Sequence, residues 1–178
     1  CAAHGWGSDL AKISISECEG KLYCLYTQFG NADAPCEDKS DENFMNGELY
    51  MAVSPDRGFN WDRGQNLTNT PTPGCVPGDC ESDYWASMAR YGRTQVAECP
   101  TEGLIAGENY LDILYINDRH AGGIPQEEGQ WTTNPVMWLA TPCRDVVVEP
   151  LYTDDAGPGY GECYADELFY VLIGGSES

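Results

Sequence analysis

Ser54-Pro55-Asp56-Arg57-Gly58-Phe59-Asn60-Trp61 is the stretch on which the reading of this chain turns. It has the form S-x-D-x-G-x-x-W. It closes an alternating run, Gly47–Ser54, in which Leu49, Met51 and Val53 share one face and Tyr50 and Ala52 the other. An aspartate placed here can accept hydrogen bonds from the backbone N–H groups of its own turn. Glycine at 58 permits a positive φ, and Trp61 is large enough to lie back over the bend and shield it. The segment therefore predicts a tight turn clipping two neighbouring strands, with Ser54, Asp56, Gly58 and Trp61 as its structural residues.

Strand-like runs extend outward from it in a regular order. Asp9–Ser16 alternates through Leu10, Ile13 and Ile15, Glu19-Gly20 offers a turn, and Lys21–Phe29 is rich in strand formers. Gly30–Asn46 is polar and acidic without an apolar period and reads as a long loop. Trp61–Thr68, beyond the turn, is a weaker strand. Four strands with hairpin-like links make one antiparallel sheet. After the Pro/Gly/Cys-rich connection Thr70–Asp79 a second cycle follows: Asp83–Tyr91, Tyr110–Asn117, Asn134–Thr141 and Val146–Leu151. Ser8-Asp9 is echoed by Ser82-Asp83, and Leu22–Tyr26 by Ile113–Ile116. Leu168–Ile173 is a last apolar strand. No stretch of helical length has a 3.6-residue period.

The octapeptide, with Met51–Ser54 leading into it and Asp62–Leu67 following, resembles the Asp-box, the bacterial neuraminidase repeat of sialidase-like β-propellers. The resemblance is close over residues 51–67 and extends to the two strand cycles by order alone. It implies an all-β fold of antiparallel four-stranded blades, β-propeller-like and incomplete in one chain. Residues 1–74 are then a first blade-like repeat, 75–151 a second, and 152–178 a terminal segment with a donated or closing strand. In that family the boxes lie at blade edges remote from the catalytic centre, so the match implies fold and not activity. The second cycle departs from the pattern, because Ala140-Thr141-Pro142-Cys143 stands where a box would begin and no aspartate or glycine follows at the required spacing. Sialidase chemistry would need an arginine cluster, a Tyr/Glu pair and an acid/base aspartate. The Arg-Ile-Pro signature is absent, since Gly123-Ile124-Pro125 lacks the arginine, and no catalytic residue is assigned.

Composition narrows the partners. With 29 acidic against 9 basic residues the formal charge is −20, which repels nucleic acid and anionic membranes. No transmembrane run is present. Nine cysteines point to an oxidising, extracellular or cell-surface location. No C-x-x-C pair occurs and the two histidines, His4 and His120, are far apart, which argues against zinc. Cys75 and Cys80 enclose Val-Pro-Gly-Asp and are disulfide candidates, and the other pairings stay open. The odd cysteine is free or bonded elsewhere, with Cys1, as a lipidated terminus, one candidate. Asp33, Asp38 and Asp41, beside Glu37 and Glu42, crowd one loop that could supply calcium with oxygen ligands, although the order is not that of an EF-hand and a solvated acidic loop is the simpler reading. Trp6, Trp85, Trp131 and Trp138, with Tyr84 and Tyr91, are expected in the core or between blades rather than on a sugar-stacking platform.

A blade with two apolar faces buries them only against neighbours, and about three repeats are needed for stability. Two repeats leave faces open. The sequence therefore points to a non-catalytic extracellular module that associates with copies of itself or with the rest of a longer chain. The alternative is a piece of a secreted sialidase-like propeller that binds or cleaves glycans.

Overall fold

In the computed structural model, which describes residues 10–30, 37–97 and 101–143, apolar alternation and glycine-marked turns yield eight β-strands. Helix is limited, among the described residues, to one 3-10 turn at Ile124–Gln126. Strands β1 (Leu10–Cys18), β2 (Lys21–Phe29), β3 (Gly47–Ser54) and β4 (Gln65–Asn66) form an antiparallel meander in that order. Strands β5 (Ser82–Met88), β6 (Arg93–Thr94), β7 (Asn109–Asp118) and β8 (Val136–Pro142) form a second antiparallel sheet, with β7 in the middle. Its one edge takes β5 and then β6, and its other edge takes β8. The described part of the chain is thus all-β, with antiparallel sheets of four strands. All of these residues lie in a unit spanning Cys1–Val148, and the unit Glu149–Ser178 lies outside the described residues. So do the expected strands Val146–Leu151 and Leu168–Ile173, the terminal segment 152–178, and Cys1.

Two expectations need correction. The strand Trp61–Thr68 shrinks to Gln65–Asn66, because the Asp62 side chain, and not a strand backbone, accepts the Val53 N–H (2.9 Å) at the start of that return. The second concerns β6, which falls between the expected strands Asp83–Tyr91 and Tyr110–Asn117. The chain leaves the edge of β7 at Arg90–Gly92 to bond Glu17 of β1 (Glu17 N–H to Arg90 O 3.0 Å, Gly92 N–H to Glu17 O 2.8 Å), then rejoins β7 as β6.

Both sheets carry the same internal register. In β1, Ala11 pairs with Thr27 and Ser14 with Leu25, so Lys12 and Ile13 share one opposing residue. In β5, Tyr84 pairs with Ile116 and Ser87 with Leu114, leaving Trp85 and Ala86 in the same bulge. Lys12 and Trp85, the first bulge residues, both have φ +54°, a value non-glycine residues seldom adopt. The correspondence continues across the sheet: Leu25 faces Met51 as Leu114 faces Trp138, and Leu22 faces Ser54 as Leu111 faces Thr141. Thr141-Pro142 therefore occupies the place of Ser54-Pro55, and Cys143 that of Asp56.

The core lies between the sheets. Tyr23, Leu25, Leu49, Met51 and Val53 of the first pack with Ala86, Met88, Leu111 and Ile113 of the second. These are not equivalent faces. By register, Leu111 and Ile113 correspond to Leu22 and Cys24, on the opposite side of the repeat from Tyr23 and Leu25. The two sheets are stacked head to tail, like consecutive members of an array, and not related by the two-fold symmetry of a sandwich.

Two disulfides are present among the described residues. Cys75–Cys80 closes its short loop (Cα–Cα 5.0 Å). Cys18–Cys143 joins the end of β1 to the residue after β8 (Cα–Cα 6.1 Å, 125 residues apart) and staples the sheets together. Gly92 sits against it, and a Cβ there would collide with Cys18 Sγ. Cys24 is free and buried.

Candidate interaction surface

The turn after β3 is a closed set of hydrogen bonds. Ser54 Oγ donates to Asp56 Oδ1 (2.9 Å) and accepts the Gly58 N–H (2.8 Å). Asp56 Oδ1 also accepts the Asn60 N–H (2.8 Å), and Asp56 Oδ2 the Asn60 side-chain amide (2.5 Å). These donors, the Asn60 backbone first, hold the Asp56 carboxyl below its ordinary pKa. Gly58 takes φ +96°, and half-buried Trp61 folds back to donate its indole N–H to Gly58 O (3.1 Å). All four residues are thus engaged in holding the bend between β3 and β4.

The acidic loop is organised differently. Asp33 lies outside the described residues. Asp38 is buried, its Oδ1 accepting Asn46 Nδ2–H (2.8 Å) and the Thr72 N–H (2.9 Å), while its Oδ2 has no hydrogen-bond partner. Asp41 reaches instead to His120, 2.9 Å from Nε2. The His120 Nδ1 accepts the Gln130 N–H (3.0 Å), so the ring proton sits on Nε2 and is donated to Asp41. Among the described residues no three histidine, cysteine, aspartate or glutamate side chains gather as a cation site would need.

A buried polar layer crosses one end of the sheet junction, and sequence reading missed it. Glu48 accepts from Thr68 Oγ (2.6 Å) and the Thr70 N–H (2.7 Å), and Asp83 accepts from Asn117 (2.9 Å). Thr70 Oγ1 lies between them, 3.4 Å from Glu48 and 3.2 Å from Asp83. A hydroxyl has one proton and can serve only one carboxylate fully. Burial, first among several causes, raises the pKa of both carboxyls. Both side chains are almost wholly enclosed, so the pair is out of reach of a substrate.

The outward faces carry the aromatic correction. Trp85, Trp131, Trp138 and Tyr91 are exposed, outside the core that was one of the two places expected for them, the other being between blades, and Trp6 lies outside the described residues. Trp138 and Leu114 point away from the junction because Tyr115 and Leu139, their alternating neighbours, point into it. The outward face of the second sheet shows Leu114 (52 % exposed), Trp138 (48 %) and Val136 (70 %). The outward face of the first shows Ile13 (45 %) and Ile15 (46 %) on β1, while Cys24 and Ala52 beside them are buried. The apolar alternation of β1 was visible in the sequence, but the direction it faces was not.

A cavity of about 290 Å³ opens beside Phe29, Tyr84 and Trp85, with Asp118, Ser82 and Gln126 as polar lining. The three rings stack edge to face at 5.4 and 5.0 Å, and the Lys12 ammonium lies 4.1 Å above the Trp85 ring. Burial raises the Asp118 carboxyl above its ordinary range. No helix among the described residues is long and apolar enough to cross a membrane. No protein-family model, curated protein or solved structure matches this chain.

Proposed function

We propose that the chain is a non-catalytic, extracellular structural module of β-propeller-like, Asp-box-bearing blades that associates with further copies of itself in a surface, matrix or filament assembly. The observation that carries this reading is the pair of apolar outward faces on two sheets already stacked head to tail. Exposed strand faces of this kind are costly in water and mark interaction surfaces. The register shared by the two sheets, down to the bulges at Lys12 and Trp85, supports blade repetition. The octapeptide turn lies between third and fourth strands, where the Asp-box resemblance calls for it. Two disulfides suit an oxidising location. Arg93 and Arg119 are each engaged by a carboxylate, Asp112 and Glu81. Sedimentation of the oxidised protein at micromolar concentration tests the reading: particles of two or more chains are expected, and a discrete monomer refutes it.

The aromatic cavity favours a second reading, that of a glycan-binding blade. Its rings could stack on a sugar and its carboxyl could accept a hydroxyl. A glycan array with no bound sugar would remove it.

A further inference from the structure

The internal junction shows what the open faces fit. There, β5 presents Ala86 and Met88 to the face of the first sheet that carries Tyr23, Leu25, Met51 and Val53. Ser14 Oγ accepts the Met88 N–H (3.3 Å), and Ser16 Oγ donates to Ala89 O (2.6 Å). By the shared register, the counterparts of Ala86 and Met88 are Ile13 and Ile15. The counterparts of Leu25, Met51 and Leu49 are Leu114, Trp138 and Val136, and that of Ser14 is Ser87. Every one of these counterparts except Ser87 is an exposed large hydrophobic, and Ser87 itself is exposed. The outward faces therefore each expose part of a second junction, although Tyr23 and Val53 have Asp112 and Ala140 as counterparts and Ile113 has the buried Cys24.

We propose that a second copy of this chain docks head to tail, seating its Ile13 and Ile15 on Leu114, Val136 and Trp138 of the first, with Ser87 Oγ accepting the Ile15 N–H. This rests on the self-association reading above and adds the geometry to it. The interface is heterologous: each copy uses one face as acceptor and the other as insert. Repetition then closes a ring or runs on as a filament, depending on the rotation per copy. The occupant is another copy because the contact repeats, at Ile13, Ile15, Leu114, Val136 and Trp138, a junction the chain already makes with itself. The Cys18–Cys143 bond has no such counterpart, since Cys143 stands in the Asp56 position of its repeat, so the intermolecular junction lacks that staple and dissociates on dilution.

Complementing substitutions test this on the full chain. Ile13→Asp leaves the acceptor face intact, and Leu114→Asp leaves the insert face intact. Each variant alone is expected to sediment as a monomer, because every junction needs both faces. An equimolar mixture is expected to recover dimers of mixed composition and nothing larger. A single variant that still dimerises, or a mixture that stays monomeric, overturns head-to-tail docking while leaving self-association standing. Wild-type protein that is itself monomeric overturns both. Ile15→Asp with Trp138→Asp repeats the test should Leu114→Asp fail to fold.

Discussion

Removing the Cys18–Cys143 disulfide should cost far more than removing Cys75–Cys80, although each is a single bond. A cross-link stabilises by restricting the unfolded chain, and the restriction grows with the loop it closes. The two bonds span 125 and 5 residues. Loop-closure entropy then gives about 5 kcal/mol for the long loop and about 2 kcal/mol for the short one at 25 °C. The first figure is comparable with the whole stability of an ordinary domain, about 5–15 kcal/mol. Alanine is the better replacement at Cys18, which is buried in the core, because a serine hydroxyl there would need a partner. With a urea m-value of about 2 kcal/mol/M, Cys18→Ala/Cys143→Ala should lower the unfolding midpoint by about 2.5 M, against about 1 M for Cys75→Ala/Cys80→Ala. Urea melts followed by tryptophan fluorescence, under non-reducing conditions, measure both. Equal losses, or a larger loss at the short loop, would refute the assignment of the long bond as the staple between sheets.

Three further outcomes are expected. Gly58→Ala forces a Cβ into φ +96° and should cost about 1–2 kcal/mol in a denaturant melt; an unchanged midpoint would mean the bend relaxes freely. Burial pushes the Cys24 thiol up to about 11, so native protein at pH 7.5 should alkylate with iodoacetamide roughly 100-fold more slowly than an exposed thiol, and labelling at the ordinary rate would contradict the burial. The folded Glu48, Asp83 and Asp118 carboxyls hold protons that the unfolded chain releases near pH 4, so their contribution favours folding below that pH and is lost as pH rises through the raised values. Glu48→Gln should flatten the fall in melting temperature above pH 4 relative to wild type, and a parallel curve would count against it.

Local chemistry made much of the architecture readable. Lys21–Phe29 and Gly47–Ser54 announce themselves through β-forming residues and period-two alternation, and they coincide with β2 and β3. The bend at Ser54–Trp61 is a matter of one side chain accepting donors from its own segment, which eight consecutive residues contain in full. Trp61–Thr68 was overestimated because the Asp62 side chain competes with the strand backbone for a donor, a choice no periodicity displays.

The amino-acid sequence by itself determined that the described residues are all-β and where a tight turn joins two of their strands, because each is settled by neighbours within a few residues. Tertiary structure alone decided which face of each sheet is inside, that Cys18 finds Cys143, and that Glu48 meets Asp83 across Thr70. Those outcomes depend on residues up to 125 positions apart being brought together by the packing of one sheet on the next, and alternation along a strand is the same whichever side is turned inward.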